Sequence, residues 1–162
     1  SSAASDVYKR QILSTVLIFS IFALITAYFI QYILGHEPCN LCLIERIPYF
    51  TAVALISLVF FLNKYEKLIS LIVGLFFIFG AIISFYHFGI EQGFFKESLV
   101  CDLGDNKAAS AKDLLKQLEK EIISCKDVSF KILGLSLATF NTIISTIISV
   151  IMLKIVIIYD KN

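Results

Sequence analysis

The sequence predicts an all-α integral membrane protein, a bundle of four transmembrane helices with a long loop outside the cytoplasm. Of its 162 residues, 58% are hydrophobic and only 17% are charged, and the mean hydropathy is +0.85. A soluble domain could not keep so much apolar surface away from water. Four apolar runs also reach the roughly 20 residues that a helix needs to cross a bilayer: residues 12–34, 43–62, 68–90 and 132–159.

Each apolar run is predicted to be a helix, because lipid offers no hydrogen-bond partners to an open backbone. Short connections make consecutive helices antiparallel, so residues 12–162 form one four-helix domain in the lipid bilayer. The Ser-rich residues 1–11 are interpreted as a cloning remnant or a cytoplasmic N-terminus. The first run has the length of a span rather than of a signal-peptide core, which argues against a cleavable signal.

The cysteines all fall on one predicted side of the membrane. With four spans, both termini share a side with the link at residues 63–67, and the segments 35–42 and 91–131 share the other. That second side holds Cys39, Cys42, Cys101 and Cys125. Lysines in the short link favour the first side as cytoplasmic, and stable thiol pairs belong in oxidising compartments. We therefore expect cytoplasmic termini and periplasmic cysteines. The net charge of +1, with no basic stripe, argues against a nucleic acid partner.

The long loop contains one amphipathic segment. Residues 108–123 place Leu114, Leu115, Leu118 and Ile122 on one stripe of a helix. Such a helix either lies on the membrane surface or packs on the mouth of the bundle.

Cys39 and Cys42 form a C-x-x-C pair just before the second apolar run. Pro38 suits a chain entering a helix, and a helix N-terminus favours the thiolate. Arg46 lies one turn after Cys42 and adds positive charge. The pair is therefore placed for thiol exchange. Half of a zinc site is the alternative, but Cys101 and Cys125 are far apart and supply no second close pair. Inert structural disulfides are a further alternative.

Ionisable residues lie at the cysteine ends of the second and third runs, where they are costly in hydrocarbon. They are Glu45, Arg46, His87 and Glu91. Arg46 and His87 could supply a cation and a hydrogen-bond donor to a largely apolar, oxygen-bearing ligand such as a quinone. Glu91, four residues after His87, is alternatively a snorkelling or locally paired group. In the fourth run, Asn141 and its small neighbours are attributed to helix packing.

Together these residues resemble the DsbB family, the disulfide bond formation proteins of the bacterial inner membrane. The resemblance lies in PCNLCLIER at residues 38–46, YHFGIEQG at 86–93, the separated pair Cys101 and Cys125, and LGLSLATFN at 133–141. It covers nearly the whole chain after residue 11.

The resemblance implies a thiol:quinone oxidoreductase with ubiquinone or menaquinone as cofactor, drawn from the membrane quinone pool. The partner would be a periplasmic thioredoxin-fold oxidase of the DsbA type. By position, Cys101 would form the mixed disulfide with this partner and Cys125 would be its bridge mate. Cys39 would exchange with Cys125, and Cys42 would lie nearest the quinone. Arg46 would position and polarise the quinone, and His87 would lie near its ring.

Two other functions remain open at this point. A non-catalytic membrane scaffold would use both cysteine pairs as structural disulfides. A protein similar to vitamin K epoxide reductase would also join a C-x-x-C to quinone in a four-helix bundle. In that family, however, the pair lies near the last helix, whereas here it follows the first span.

Overall fold

The computed structural model describes residues 2–62, 65–96, 101, 125–126, 131–132 and 134–161. Its helices are α1 (Ser2–Tyr32), α2 (Asn40–Ile44), α3 (Ile47–Leu62), α4 (Glu66–Glu91) and α5 (Leu137–Lys161). Two short strands, β1 (Lys131–Ile132) and β2 (Leu135–Ser136), pair antiparallel just before α5. The predicted amphipathic helix at residues 108–123 lies outside the described residues.

Four helical segments are long and apolar enough to cross a membrane: Asp6–Tyr32, Asn40–Leu62, Glu66–Glu91 and Leu137–Ile158. At most 39% of the residues in any of these apolar windows are buried inside the protein. Large side chains such as Phe22, Phe61 and Ile82 are exposed on the outside, as expected where lipid is the solvent. The prediction of an all-α protein with four transmembrane helices is confirmed.

Helix boundaries differ from the prediction in three places. The first helix begins at Ser2, within the segment interpreted as a remnant or terminus. The second span begins at Asn40 and is interrupted at Glu45 and Arg46. Pro48 has no N–H, so the helical hydrogen bond to Ile44 cannot form and the chain turns before α3 begins.

The third difference is at the start of the fourth span. Residues predicted to be helical from 132 onward instead form the β1–β2 hairpin, whose turn contains Gly134 with φ 84°. Glycine adopts this left-handed conformation without steric cost. The helix α5 starts only after Ser136, whose Oγ accepts a hydrogen bond from the Thr139 N–H at 3.3 Å, a helix N-cap contact.

Contacts between the helices define an antiparallel bundle. Arg10 on α1 meets Glu66 at the start of α4, whereas Gln31, at the other end of α1, meets Arg46 before α3. On α4 and α5, Gly74 lies next to Met152, whereas Ser84, later on α4, bonds to Asn141, earlier on α5. These two helices therefore also run in opposite directions. The end of the bundle that carries Gln31, Arg46, Ser84 and Asn141 is called the thiol end below, since Cys39 and Cys42 lie there.

The core divides into two clusters. The larger one runs through the middle of the bundle and centres on Leu13, Ile56, Val73, Phe77 and Met152. The smaller one lies at the thiol end and packs Cys39, Leu41, Ile90, Cys101 and Cys125 together. The fold therefore brings all four cysteines close to one end of the bundle, with Cys42 packed against the smaller cluster.

Candidate functional site

The two cysteines of the C-x-x-C pair lie at the first turn of α2. Cys39 is the N-cap residue, and its Sγ accepts a hydrogen bond from the Cys42 N–H at 3.3 Å. The two sulfur atoms are 2.8 Å apart and both cysteines are free. The hydrogen bond with the Cys42 thiol, helped by His87 and opposed by burial, lowers the pKa of Cys39 to about 4. Cys39 is thus the cysteine of the pair whose thiolate these contacts favour.

The other two cysteines are joined in a disulfide. Cys101 and Cys125 are 24 residues apart in sequence, their Cα atoms are 5.9 Å apart, and both are buried. They belong to the same small cluster as Cys39. One oxidised pair and one reduced pair therefore lie beside each other at the thiol end.

His87 on α4 reaches the thiol pair from the neighbouring helix. Its Nε2 lies 3.6 Å from the Cys39 sulfur, and its Nδ1 lies 2.7 Å from Oε1 of Glu45. Both His87 and Glu45 are buried. Glu91, four residues after His87 on α4, has its Oε1 3.8 Å from Nε2, so the carboxylate in hydrogen-bond contact with the ring is that of Glu45 and not that of Glu91.

Arg46 follows Glu45 in the turn between α2 and α3. Its guanidinium donates a hydrogen bond to Oε1 of Gln31 at 2.7 Å and lies 5.0 Å from the centre of the Tyr28 ring. Both partners are on α1. The sequence interpretation singled out Arg46 but not Gln31 or Tyr28. A polar Gln inside the first apolar run was the available signal, since such residues rarely lie in a span without a partner.

Asn141 on α5 was attributed to helix packing, and that interpretation did not identify its polar partners. Its amide nitrogen donates to Oε2 of Glu45 at 2.8 Å and to Oγ of Ser84 at 2.6 Å. Its oxygen accepts from the Tyr49 hydroxyl at 2.6 Å. A lone amide in an apolar helix was the signal, but sequence does not tell which helix it faces. Of its small neighbours, Gly134 lies in the hairpin turn and not in α5.

A cavity of about 380 Å³ lies next to these side chains. Its polar end is formed by Cys42, Glu45, Arg46, His87 and Glu91, and also by His36 and Glu37. The rest is apolar and comes from α1 and α5, through Phe19, Phe22, Leu24, Phe140 and Ile144. The volume is that of a small-molecule site.

A metal is the other ligand to consider for this site. Within the described ranges, Cys39, Cys42 and His87 form a group whose ligand atoms lie within 4.8 Å of one another. Three donors are one fewer than a structural zinc site uses. The cavity, with one polar end and an apolar body, fits an amphiphilic organic molecule better than it fits an ion.

Comparisons with known proteins agree with this architecture. The family model described as "Disulfide bond formation protein DsbB" matches residues 9–155. An uncharacterized protein of Rickettsia prowazekii (strain Madrid E) is 34% identical over 164 residues, covering 97% of this chain and 92% of that protein. No solved structure matches the chain. The family supports an oxidoreductase activity in disulfide bond formation, and the chain belongs to the DsbB family.

Proposed function

We propose that the protein is a thiol:quinone oxidoreductase that reoxidises a periplasmic DsbA-type dithiol oxidase. In the overall reaction the partner's dithiol becomes a disulfide and a membrane quinone becomes a quinol. The observation that carries the proposal is the C-x-x-C pair at the wall of a cavity whose other wall is apolar and comes from membrane-spanning helices.

The cavity suits a quinone in size and in polarity. Its volume of about 380 Å³ lies within the usual range for organic ligands, roughly 300–1,000 Å³. Arg46 and His87 would hold the ring oxygens at the polar end, and the apolar residues of α1 and α5 would contact the ring and isoprenoid tail. A bound ubiquinone or menaquinone would supply the two-electron oxidant. Cys39 and Cys42 both line this cavity, and by the family resemblance Cys42 would be the one nearest the quinone.

The protein's own cysteines would carry the electrons by thiol–disulfide exchange. A thiolate of the partner attacks the Cys101–Cys125 disulfide at Cys101, which forms the mixed disulfide and releases Cys125. For the next exchange Cys39 and Cys42 would first be joined in a disulfide, their two electrons and protons having passed to a bound quinone. The Cys125 thiolate would then attack this disulfide at Cys39, its neighbour in the small cluster, and release Cys42. The partner's second thiolate would break the mixed disulfide and release Cys101, which would re-form its bond to Cys125 and leave Cys39 and Cys42 reduced. Each attack forms one sulfur–sulfur bond and breaks another, so two electrons move inward per turnover.

The proposal includes a location. The protein would lie in the bacterial inner membrane with both termini cytoplasmic and the thiol end facing the periplasm. A dithiol oxidase is itself oxidising, so its reoxidation requires an acceptor of still higher potential. The thiol end would allow water-side thiols to react with an oxidant dissolved in lipid.

The test uses the purified protein in detergent under anaerobic conditions. Reduced DsbA-type partner and ubiquinone-1 are added, and quinone absorbance is followed. We expect loss of quinone absorbance with the unsubstituted protein and none with Cys42→Ser. Leu43→Ala is the control, because Leu43 is an exposed neighbour on the same short helix.

A second outcome would favour a different function. If neither ubiquinone-1 nor a menaquinone analogue is reduced and the Cys101–Cys125 disulfide resists mild reductant, the disulfide has a structural role. The protein would then be a membrane scaffold. Reaction rates with a general and a dedicated partner oxidase would separate two branches of the oxidoreductase function.

A further inference from the structure

A chain of buried polar side chains runs from Cys39 into the bundle. The Cys39 sulfur lies 3.6 Å from His87 Nε2, His87 Nδ1 lies 2.7 Å from Glu45 Oε1, and Glu45 Oε2 lies 2.8 Å from Asn141 Nδ2. Cys39, Glu45 and His87 are 7%, 8% and 4% exposed. A buried carboxylate is costly in a membrane protein unless it has partners and, as a rule, a role.

The order of donors along this chain is set by Glu45. A carboxylate only accepts hydrogen bonds, so both the histidine ring and the Asn141 amide must present N–H groups to it. The Asn141 oxygen is then left to accept from Tyr49 at 2.6 Å and from Ser145 at 3.2 Å. For His87 the result is a proton on Nδ1. In the neutral ring, Nε2 therefore presents its lone pair to the Cys39 sulfur.

From this geometry we propose that His87 is the acid–base group of Cys39, with Glu45 and Asn141 as the positioning residues that orient its ring. The proposal deepens the oxidoreductase function proposed above and rests on it. When Cys39 becomes a thiolate, its S–H bond breaks and an N–H bond forms at Nε2. The positive ring is then balanced by the carboxylate of Glu45. In the reverse direction His87 returns the proton, and no electrons move in either step.

Other ionisable groups lie near Cys39 and His87 and also affect which of the two holds the proton. Cys42 contacts Cys39 from α2, and Glu91 of α4 lies 3.8 Å from His87 Nε2. Arg46 lines the same cavity. At 3.8 Å, Glu91 Oε1 is beyond hydrogen-bond distance of Nε2, and Glu91 Oε2 has no hydrogen-bond partner within the described residues. Glu45, with both oxygens bonded, is the carboxylate that holds the ring.

The test measures Cys39 without quinone or partner. In a protein carrying Cys42→Ser, Cys101→Ser and Cys125→Ser, Cys39 is the single cysteine, and its alkylation by iodoacetamide is followed against pH. We expect fast reaction at about pH 6 and a rate about tenfold lower there after His87→Gln, which is one unit of thiol acidity. Glu45→Gln should lower the rate less, and Glu45→Asp should restore part of it.

Glu66→Gln is the matched control, since it removes a carboxylate at the opposite end of α4 from His87 and should leave the alkylation profile unchanged. An unaltered pH profile in His87→Gln would overturn the proposal. Because no quinone is present, this result does not depend on whether the protein reduces quinones, and either proposal can fail while the other stands.

A second measurement needs no substitution in the chain of polar residues. The protein has two histidines, so ¹⁵N-histidine spectra of the parent and of His36→Gln assign the signals of His87. We expect the ring with a proton on Nδ1, either as the neutral tautomer or as the imidazolium. A neutral ring protonated on Nε2 would contradict the proposal even if the substituted proteins failed to fold.

Discussion

Arg46 makes two contacts that a lysine cannot reproduce together. Its planar guanidinium lies 5.0 Å from the centre of the Tyr28 ring while donating to Gln31 at 2.7 Å. Stacking on an aromatic ring and donating a hydrogen bond in a fixed direction both depend on the planar guanidinium group of arginine. The side chain is therefore held at the polar end of the cavity by α1 and not only by its own turn.

We predict that Arg46→Lys raises the KM for ubiquinone about tenfold and changes kcat less, because the positive charge stays but its orientation is lost. Steady-state quinone reduction at varied ubiquinone-1 measures both constants. Arg10→Lys is the control, since Arg10 meets Glu66 at the opposite end of the bundle. Equal KM values in the two variants would mean that Arg46 does not hold the quinone.

Two glycines allow α4 to lie close to its neighbours. A Cβ added at Gly80 would lie 2.8 Å from the ring of Pro48 on α3, which is far inside normal contact. At Gly74 the nearest atom would be the Met152 Cβ at 3.4 Å. Pro48 is buried and its ring is rigid, so α3 would have to move at the first position but not at the second.

We predict that Gly80→Ala lowers the free energy of unfolding by about 1 kcal/mol. Overpacking costs about 1–3 kcal/mol, and the better helix propensity of alanine returns about 1 kcal/mol. Gly74→Ala, with the same gain and little overpacking, should leave stability unchanged or slightly raised. Thermal unfolding in detergent compares the two. Equal unfolding temperatures would show that α3 and α4 are not in close contact at Pro48.

Asn141 joins three elements, since it bonds to Tyr49 on α3, Ser84 on α4 and Glu45 before α3. We predict that Asn141→Leu destabilises the protein by about 1–2 kcal/mol, because buried hydrogen-bond partners are left unsatisfied. Thr146→Val is the control. The Thr146 hydroxyl donates to the Thr142 carbonyl oxygen of its own helix at 2.7 Å, so the unfolding temperature of Thr146→Val should stay near the parent value.

Sequence periodicity and length predicted the four spans well, because the requirement for long apolar helices is the strongest constraint a membrane imposes. The local departures follow from single residues. Pro48 interrupts the second span and Gly134 supports a hairpin turn before the fourth. Both residues are visible in the sequence, but whether a proline kinks, begins or breaks a helix depends on contacts that a single sequence does not show.

The site of the folded molecule combines residues that are far apart in sequence. The C-x-x-C pair, Arg46 and His87 were identified from residue types and positions, and the structure places all of them around one cavity. The partners that orient them were not identified. Asn141 lies 96 residues from Glu45 along the chain, and the pairing of such distant side chains depends on how α5 is rotated in the bundle.

The orientation of the bundle in the membrane gives the last prediction. Gln92 is exposed at the thiol end, after α4, and Tyr65 is exposed at the other end, between α3 and α4. In a protein whose four cysteines are replaced by serine, Gln92→Cys should react with a membrane-impermeant maleimide in bacterial cells with a permeabilised outer membrane. Tyr65→Cys should react only after the inner membrane is disrupted. The charged loops at each end of the bundle do not cross the bilayer spontaneously, so each end stays on one side of the membrane. The reverse labelling would place the thiols in the reducing cytoplasm, where a stable Cys101–Cys125 disulfide and a periplasmic partner would both be excluded.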